Sequence, residues 1–286
     1  MKKPLTLAAA TVAALCATSA FAASSSSAML GPLSVQLFDL NPLDGIAPSV
    51  TFASSGYDNY SYADAYQTNP SGSDYQSNYG TTPWADTASS ATTSLAWANA
   101  SLSGAAANGH GATLTAAGAA ADFTSPNYYD SASYNANVAA PYYYYYNSFS
   151  FTLSANTALV ISAAATVTAA ANGHNLYYAD YAQANASFNL WGAGPAGSGS
   201  QSSYDSASVY GSSYLGQGPW AATDSRTLGA SFLNLTSGDM TGNLQVNVGA
   251  YGTTYASPVP VPAAVWLMGS GLLGLAGIAR RNQQGA

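Results

Sequence analysis

The sequence has 286 residues, of which only 6% are charged, with twelve acidic residues against five basic ones, two histidines and one cysteine. Every acidic residue is aspartate and the formal net charge is −7, a balance that disfavours contact with nucleic acid or anionic lipid. Tyrosine is abundant at 22 residues, and with Thr, Val and Phe for strands and Ser, Asn, Asp and Gly for turns the composition favours β structure over helix.

In chain order, Met1, Lys2 and Lys3 form a basic start, Leu5 to Ala17 a mostly apolar run, and Ala20, Phe21 and Ala22 a small-x-small site. This layout predicts a secretory signal peptide over residues 1–22, cleaved after Ala22, and a mature chain beginning near Ala23. Cys16 would leave with it; a lipoprotein signal would place a small residue before the cysteine, and Leu15 stands there. The body, residues 23–257, then holds no cysteine and has to bury its own core without disulfides.

Strand patterns follow one another through that body. "LSVQLF" near Leu33, "SVTFAS" near Val50, "TSLAWANASL" around Trp97 and "GATLTAA" near Leu114 read as strands. "SFSFTLS" puts Phe149, Phe151 and Leu153 on one side, and "TALVISAAATVTAA" from Thr157 alternates Thr and Val where a run of alanines alone would suggest helix. "NASFNLWG" near Phe188, "GASFLNLTSG" near Phe232 and "GNLQVNVGAY", with Leu244, Val246 and Val248 opposite Gln245 and Asn247, complete the set. About nine short strands and no long helix predict an all-β fold, an antiparallel β-sandwich from about Ala28 to Ala256. Residues 54–90, 123–147 and 194–225, rich in Tyr, Ser, Asn and Gly and including Tyr142 to Tyr146, are expected to be long loops. Short echoes in them ("YDSAS", "PWA", "ANGH") are attributed to a small vocabulary rather than to a tandem array.

Candidate chemistry is sparse. His110 and His174 each follow Asn-Gly and are expected as surface turn residues; no Gly-x-Ser-x-Gly or His-Glu-x-x-His occurs, and a carboxylate pair would have to come from Asp58 with Asp64 or Asp74. "DLNPLDG" at Asp39 fails the EF-hand spacing at Leu43. The sequence therefore predicts no catalytic residue, no metal site and no cofactor. Aromatic rings that stack on sugars are a further possibility for an extracellular protein. Trp97 and Trp191 lie inside strand patterns and are expected in the core, whereas Trp84 and Trp220 follow prolines in expected loops and are the candidate carbohydrate contacts.

The tail reads "VPVPAAVWLMGSGLLGLAGIARRNQQGA". Ala263 to Ala279 is free of charge over 17 residues, a helix of roughly 25 Å, at the short end for a bilayer core of about 30 Å. Arg280 and Arg281 would stay cytoplasmic and the body would be exported. Four glycines (Gly269, Gly271, Gly274 and Gly277) weaken a helix in water by up to about 1 kcal/mol each relative to alanine. Pro258, Pro260 and Pro262 keep the preceding segment extended and accessible. Taken with Val259, Pro260, Val261, Pro262 and Ala263, then Trp266, the Gly269–Leu275 run and the two arginines, this tail resembles the C-terminal sorting signal of PEP-CTERM proteins in its Val-Pro-Leu-Pro-Ala variant, with Val261 in the leucine place. "VQLFDLNPLDGIAPSVTF", Val35 to Phe52, resembles the first-strand region of some members.

The resemblance implies processing of residues 258–286 by an exosortase, a membrane transpeptidase-like protease of bacteria that make extracellular polysaccharide, with transient residence in the inner membrane. Loss of both signals takes four of the five bases and none of the acids, leaving twelve aspartates against Arg226, a charge of −11. The sequence thus predicts an exported, non-enzymatic protein of the cell surface or extracellular matrix, with a structural or interaction role among polysaccharide in a biofilm. The alternative is a carbohydrate-binding module using its loop aromatics.

Overall fold

The computed structural model describes residues 22–53, 59–140, 149–173, 175–194, 199–258 and Met268. The expected signal peptide except Ala22, and so Ala20, the sorting motif Val259–Ala263, the helix expected over residues 263–279 except Met268, Arg280, Arg281, Asp58, His174 and Tyr142 to Tyr146 lie outside those residues. In chain order the strands are β1 (Ala22–Leu30), β2 (Ser34–Asp39), β3 (Val50–Phe52), β4 (Asn59–Thr68), β5 (Ser71–Gly80), β6 (Thr87–Thr92), β7 (Ala96–Ser103), β8 (Thr113–Ala121) and β9 (Thr124–Ser125). They continue as β10 (Ser131–Ala140), β11 (Phe149–Leu153), β12 (Thr157–Ala171), β13 (Asp180–Ala193), β14 (Ser200–Ser213), β15 (Trp220–Asn234), β16 (Met240–Tyr255) and β17 (Ser257–Pro258).

Two antiparallel sheets face each other. The first runs β15-β12-β1-β8-β7-β6, with β2 continuing the line of β1 along β12; the second runs β14-β13-β16-β10-β4-β5, with β11 joining β16 to β3. β1, which begins where the mature chain is expected to begin, is central, paired with β12 on one side and β8 on the other.

The alternation that builds these sheets is mostly small-inside. In β4, "NYSYADAYQT", Asn59, Ser61, Ala63 and Ala65 are buried while Tyr60, Tyr62, Asp64 and Tyr66 point away from the core. Ala132 and Ala136 of β10, Ala182, Ala184 and Ala186 of β13, and Ala98 and Ala100 of β7 fill the same role. Large side chains gather toward one end of the sandwich, where Phe151 and Phe232 meet edge-to-face at 5.1 Å beside buried Phe188, Leu190 and Leu244. Each such chain contributes about 1.5–3 kcal/mol by leaving water. Near the start of β1 the core instead holds one large polar ring. Tyr134 is fully enclosed; its hydroxyl meets Ser26 Oγ at 2.9 Å, next to a Ser24–Thr254 hydroxyl pair at 2.8 Å, and burial drives its phenol far above the ordinary tyrosine range. The site opposite it is Gly118, where a Cβ would lie 2.2 Å from the ring.

The sandwich is closed along both sides by side chains. On one side Gln201 Oε1, Ser203 Oγ and Asp205 Oδ2 of β14 accept the backbone N–H groups of Leu233, Ser231 and Gly229 at 3.1, 3.1 and 3.0 Å. On the other, Asp74 Oδ2 and Gln76 Oε1 of β5 accept from Thr92 and Ser90 of β6 at 2.9 and 2.8 Å, and Asn78 Nδ2 donates to the Ala88 carbonyl.

The all-β sandwich agrees with the sequence reading, but the expected loops do not. β4, β5, β10 and β14 and the start of β15 occupy much of 54–90, 123–147 and 194–225. β4 alternates small residues inside with tyrosine outside, β10 sets Ala132, Ala136 and Ala140 inward against Asn135 and Asn137, and β5 and β14 turn polar side chains such as Asp74, Gln76, Gln201 and Asp205 toward the other sheet, so the usual signal of large apolar residues facing inward is weak in all four. Gly118→Ala is expected to lower stability by about 1–3 kcal/mol, because the added methyl overpacks Tyr134, whereas Gly238→Ala, with nothing within 4 Å, stays close to wild type; urea unfolding of both variants checks this.

Candidate functional site

Among the described residues, solvent-facing positions of the second sheet carry many aromatic and amide side chains. Cross-strand registers arrange them in rows. One row reads Tyr210, Gln183, Tyr251, Asn135, Asp64 and Tyr75 from β14 to β5, and the next Ser208, Asn185, Gly249, Asn137, Tyr62 and Ser77. A third places Tyr60 opposite Tyr79. Neighbouring residues on one face of a sheet lie close enough for their side chains to touch, so each row is continuous.

Two kinds of contact order this face. Amide side chains form a chain across three strands: Asn185 Nδ2 donates to Asn247 Oδ1 at 3.1 Å and Asn247 Nδ2 to Asn137 Oδ1 at 3.4 Å. Gly249 makes room for it, since a Cβ there would sit 2.7 Å from Asn185 Oδ1. Among the rings, Tyr60 stacks on Tyr62 at 6.0 Å with 16° between planes and approaches Tyr79 at 5.2 Å. At the end of β16, Tyr255 stacks on Tyr178 at 4.9 Å, and Tyr178 adjoins Tyr129 and Tyr128. Tyr75, Tyr204 and Tyr210 are each more than 60% exposed, so their ring faces are open to a ligand.

One acidic group stands in this field. Asp64 is half-buried between Tyr62 and Tyr66 along its strand and opposite Tyr75 and Asn135. Burial lifts its carboxyl above the ordinary aspartate value, the Tyr62 hydroxyl hydrogen bond opposes the lift, and the charge of Asp74 adds to it. The Tyr62 phenol is raised by burial and by the Asp64 charge.

The tryptophans do not sit as expected: Trp84 is buried, and Trp97, Trp191 and Trp220 are all half-buried. Trp84, a candidate sugar contact, is buried, held by an N–H bond to Asn59 Oδ1 at 3.2 Å and set edge-on to Phe52 at 5.7 Å. Trp220 opens β15 and lies half-buried over Gly211, where a Cβ would fall 2.1 Å from its ring. Neither offers a free ring face from a loop. Trp97 and Trp191, expected in the core, are half-buried at outward positions of the first and second sheet. A loop beside a sandwich end folds over the core more cheaply than a strand can turn an outward residue inward, because strand parity fixes the face.

The other candidate residues serve the fold. His110 is exposed in its turn and Nδ1 accepts from the Val35 N–H at 3.4 Å. Asp39 and Asp44 bond their own turn, to the N–H groups of Asn41 at 2.9 Å and Ile46 at 2.8 Å; the Ile46 bond, with that from Asn156, holds the Asp44 carboxyl below its usual value. Asp64 and Asp74 leave the sheet on opposite faces, Asp74 toward β6, and so share no cleft. Among the described residues no three His, Cys, Asp or Glu side chains gather as a metal would require. The tyrosine face itself was missed by the sequence reading, although "YSYADAY" carries its signal as a period of two in the polar and aromatic residues.

No family model and no curated protein matches the chain. Among solved structures it is similar, at 8% identity and a TM-score of 0.13, to a vicilin from Corylus avellana (hazelnut), with 78% of this chain and 82% of that one covered. It is also similar, at 9% identity and a TM-score of 0.09, to a structure described as a carbohydrate-binding module of the β-sandwich superfamily, covering 74% of this chain and 98% of that one. Likeness at this level carries no argument about ligand or fold.

Trp84→Ala is expected to cost about 3–5 kcal/mol of stability, as for a large ring removed from a packed interior. Trp191→Ala on the outer face should cost less than half as much in the same denaturant titration.

Proposed function

We propose that this chain is an exported protein of the cell surface or extracellular matrix, processed near its C-terminus by an exosortase-type protease and engaged with matrix polysaccharide through the tyrosine face. The sorting part rests on Val259 to Ala263, the apolar run that follows and Arg280 with Arg281. Lipid insertion of the run leaves the arginines cytoplasmic, because a cation at the bilayer centre costs about 2.5–3.5 kcal/mol.

The observation that carries the interaction part is the outer surface of the second sheet, where rings and amides alternate in register over six strands. Tyrosine presents an apolar ring and a hydrogen-bonding tip together, which suits a sugar's apolar and hydroxylated faces. Asn and Gln side chains offer both donors and acceptors beside them. The carbohydrate-binding reading thus moves from the loop tryptophans to the sheet. A purely structural role in the matrix uses the same surface as a contact between protein and polymer.

Two measurements test this. Intact mass of the extracellular form should show loss of Trp266, Arg280 and Arg281, while a Pro260→Ala/Pro262→Ala variant keeps the tail and stays with the membrane; an extracellular form that retains the arginines refutes the processing. In pull-down on extracellular polysaccharide, Tyr75→Ser/Tyr79→Ser should weaken retention by about tenfold or more, equivalent to about 1.4 kcal/mol. Retention unchanged by loss of these rings refutes the face as the contact.

A further inference from the structure

Asp64 is the odd member of its surface. Among the described outward positions of β4, β5, β10, β13, β14 and β16, it is the one acidic side chain. Nothing basic on that sheet answers it, for Arg226 lies on β15 of the other sheet, 3.4 Å from Asp224. A half-buried carboxylate loses hydration, a cost that an opposite charge would offset. The rings beside it favour the same ligand charge, because an aromatic face is negative at its centre and attracts a cation laid over it. Tyr62, Tyr66 and Tyr75 border the carboxylate, and Tyr60 and Tyr79 extend the platform from Tyr62.

From this geometry we infer that the tyrosine face selects a glycan carrying free, protonated amino groups, with Asp64 receiving the ammonium and Tyr75, Tyr60 and Tyr79 stacking on the sugar rings at and beside it. The inference rests on the polysaccharide reading of the face and adds the chemical class. Glycans bearing carboxylate or sulfate are disfavoured by the same carboxylate and by the eleven excess negative charges of the body. A cationic peptide is the weaker fit. β4 is paired on both sides, with β10 and β5, so no peptide strand can add beside Asp64 and a lysine would have to bind by its side chain alone.

The test is retention of the full chain on beads of chitosan, of chitin as its N-acetylated counterpart and of cellulose, under conditions that keep the chitosan amines protonated. Retention on chitosan should exceed that on the two neutral polymers by about tenfold or more. Asp64→Asn should erase that difference. Asp239→Asn removes the same charge from an exposed turn outside the face and should leave it intact. Equal retention on all three polymers, insensitive to Asp64, overturns the amine selectivity and leaves polysaccharide contact standing. Equal loss in the Asp64 and Asp239 variants also overturns it, as unspecific attraction to an acidic protein. Polylysine binding that depends on Asp64 and displaces chitosan would assign the site to a cationic peptide instead. Failure to bind any of the polymers removes the polysaccharide reading as well.

Discussion

The two sheets stay in register because hydrogen-bonding side chains of β14 and β5 reach across to the open backbone of β15 and β6. A strand at a sheet edge exposes unpaired N–H and C=O groups, which invite pairing with another chain. Here Gln201, Ser203 and Asp205, spaced by two, meet Leu233, Ser231 and Gly229, and Asp74, Gln76 and Asn78 meet Thr92, Ser90 and Ala88. Spacing by two is what strand parity demands if successive acceptors are to face one neighbour. Each bond contributes only about 0.5–1.5 kcal/mol. The larger effect is architectural, since the sandwich gains some of the edge protection that full closure gives a barrel.

Closure of this kind sets what the interior can hold. Side chains as short as Ser203 and Asp205 bridge the sheets only where the edge strands β14 and β15 lie near each other, and on β13 Ala182, Ala184 and Ala186 line the interior further along, beside Gly211, Val209 and Ala207. Bulk lies directly behind that seam, since Phe232 falls between Ser231 and Leu233 and Phe188 is paired with Asp205, while Phe151 meets Phe232 edge-to-face. With small residues committed to much of the interior, tyrosine other than Tyr134 stands mainly on the outer face, where its ring covers the pleat. The outer tyrosine surface is therefore the counterpart of the small residues within. Gly249 shows the two demands meeting at one position, inside a strand yet without a side chain, so that Asn185 and Asn137 can lie over it.

Strands with large inward residues were legible in the sequence. Phe151 and Leu153, Leu244, Val246 and Val248, and Leu159 and Ile161 announce their faces by hydrophobic alternation, and all are buried. β4, β5, β10 and β14 were not, because small or polar residues such as Ala63, Gln76, Ala136 and Ser203 take many of the inward positions and tyrosine, asparagine or serine the outward ones, a pattern that resembles turn composition. β1 was hidden for a related reason: "SSSS" has no apolar contrast, yet Ser24 and Ser26 are buried as partners of Thr254 and Tyr134. The tryptophans misled because flanking prolines suggested exposure, whereas the turn at Trp84, with φ of 64°, folds its ring back into the core. The candidate site was legible only in its parts, since the rows that join Tyr210 to Tyr75 depend on strand order, which sequence spacing does not carry.

Amide hydrogen exchange at the two seams tests the central claim most directly. The N–H groups of Gly229, Ser231 and Leu233, and of Ser90 and Thr92, should exchange slowly although β15 and β6 end their sheet, and Ser203→Ala should speed exchange at Ser231 before it affects Thr92. Exchange at Ser231 as fast as in an open edge strand, or unaltered by loss of the Ser203 hydroxyl, would contradict the account.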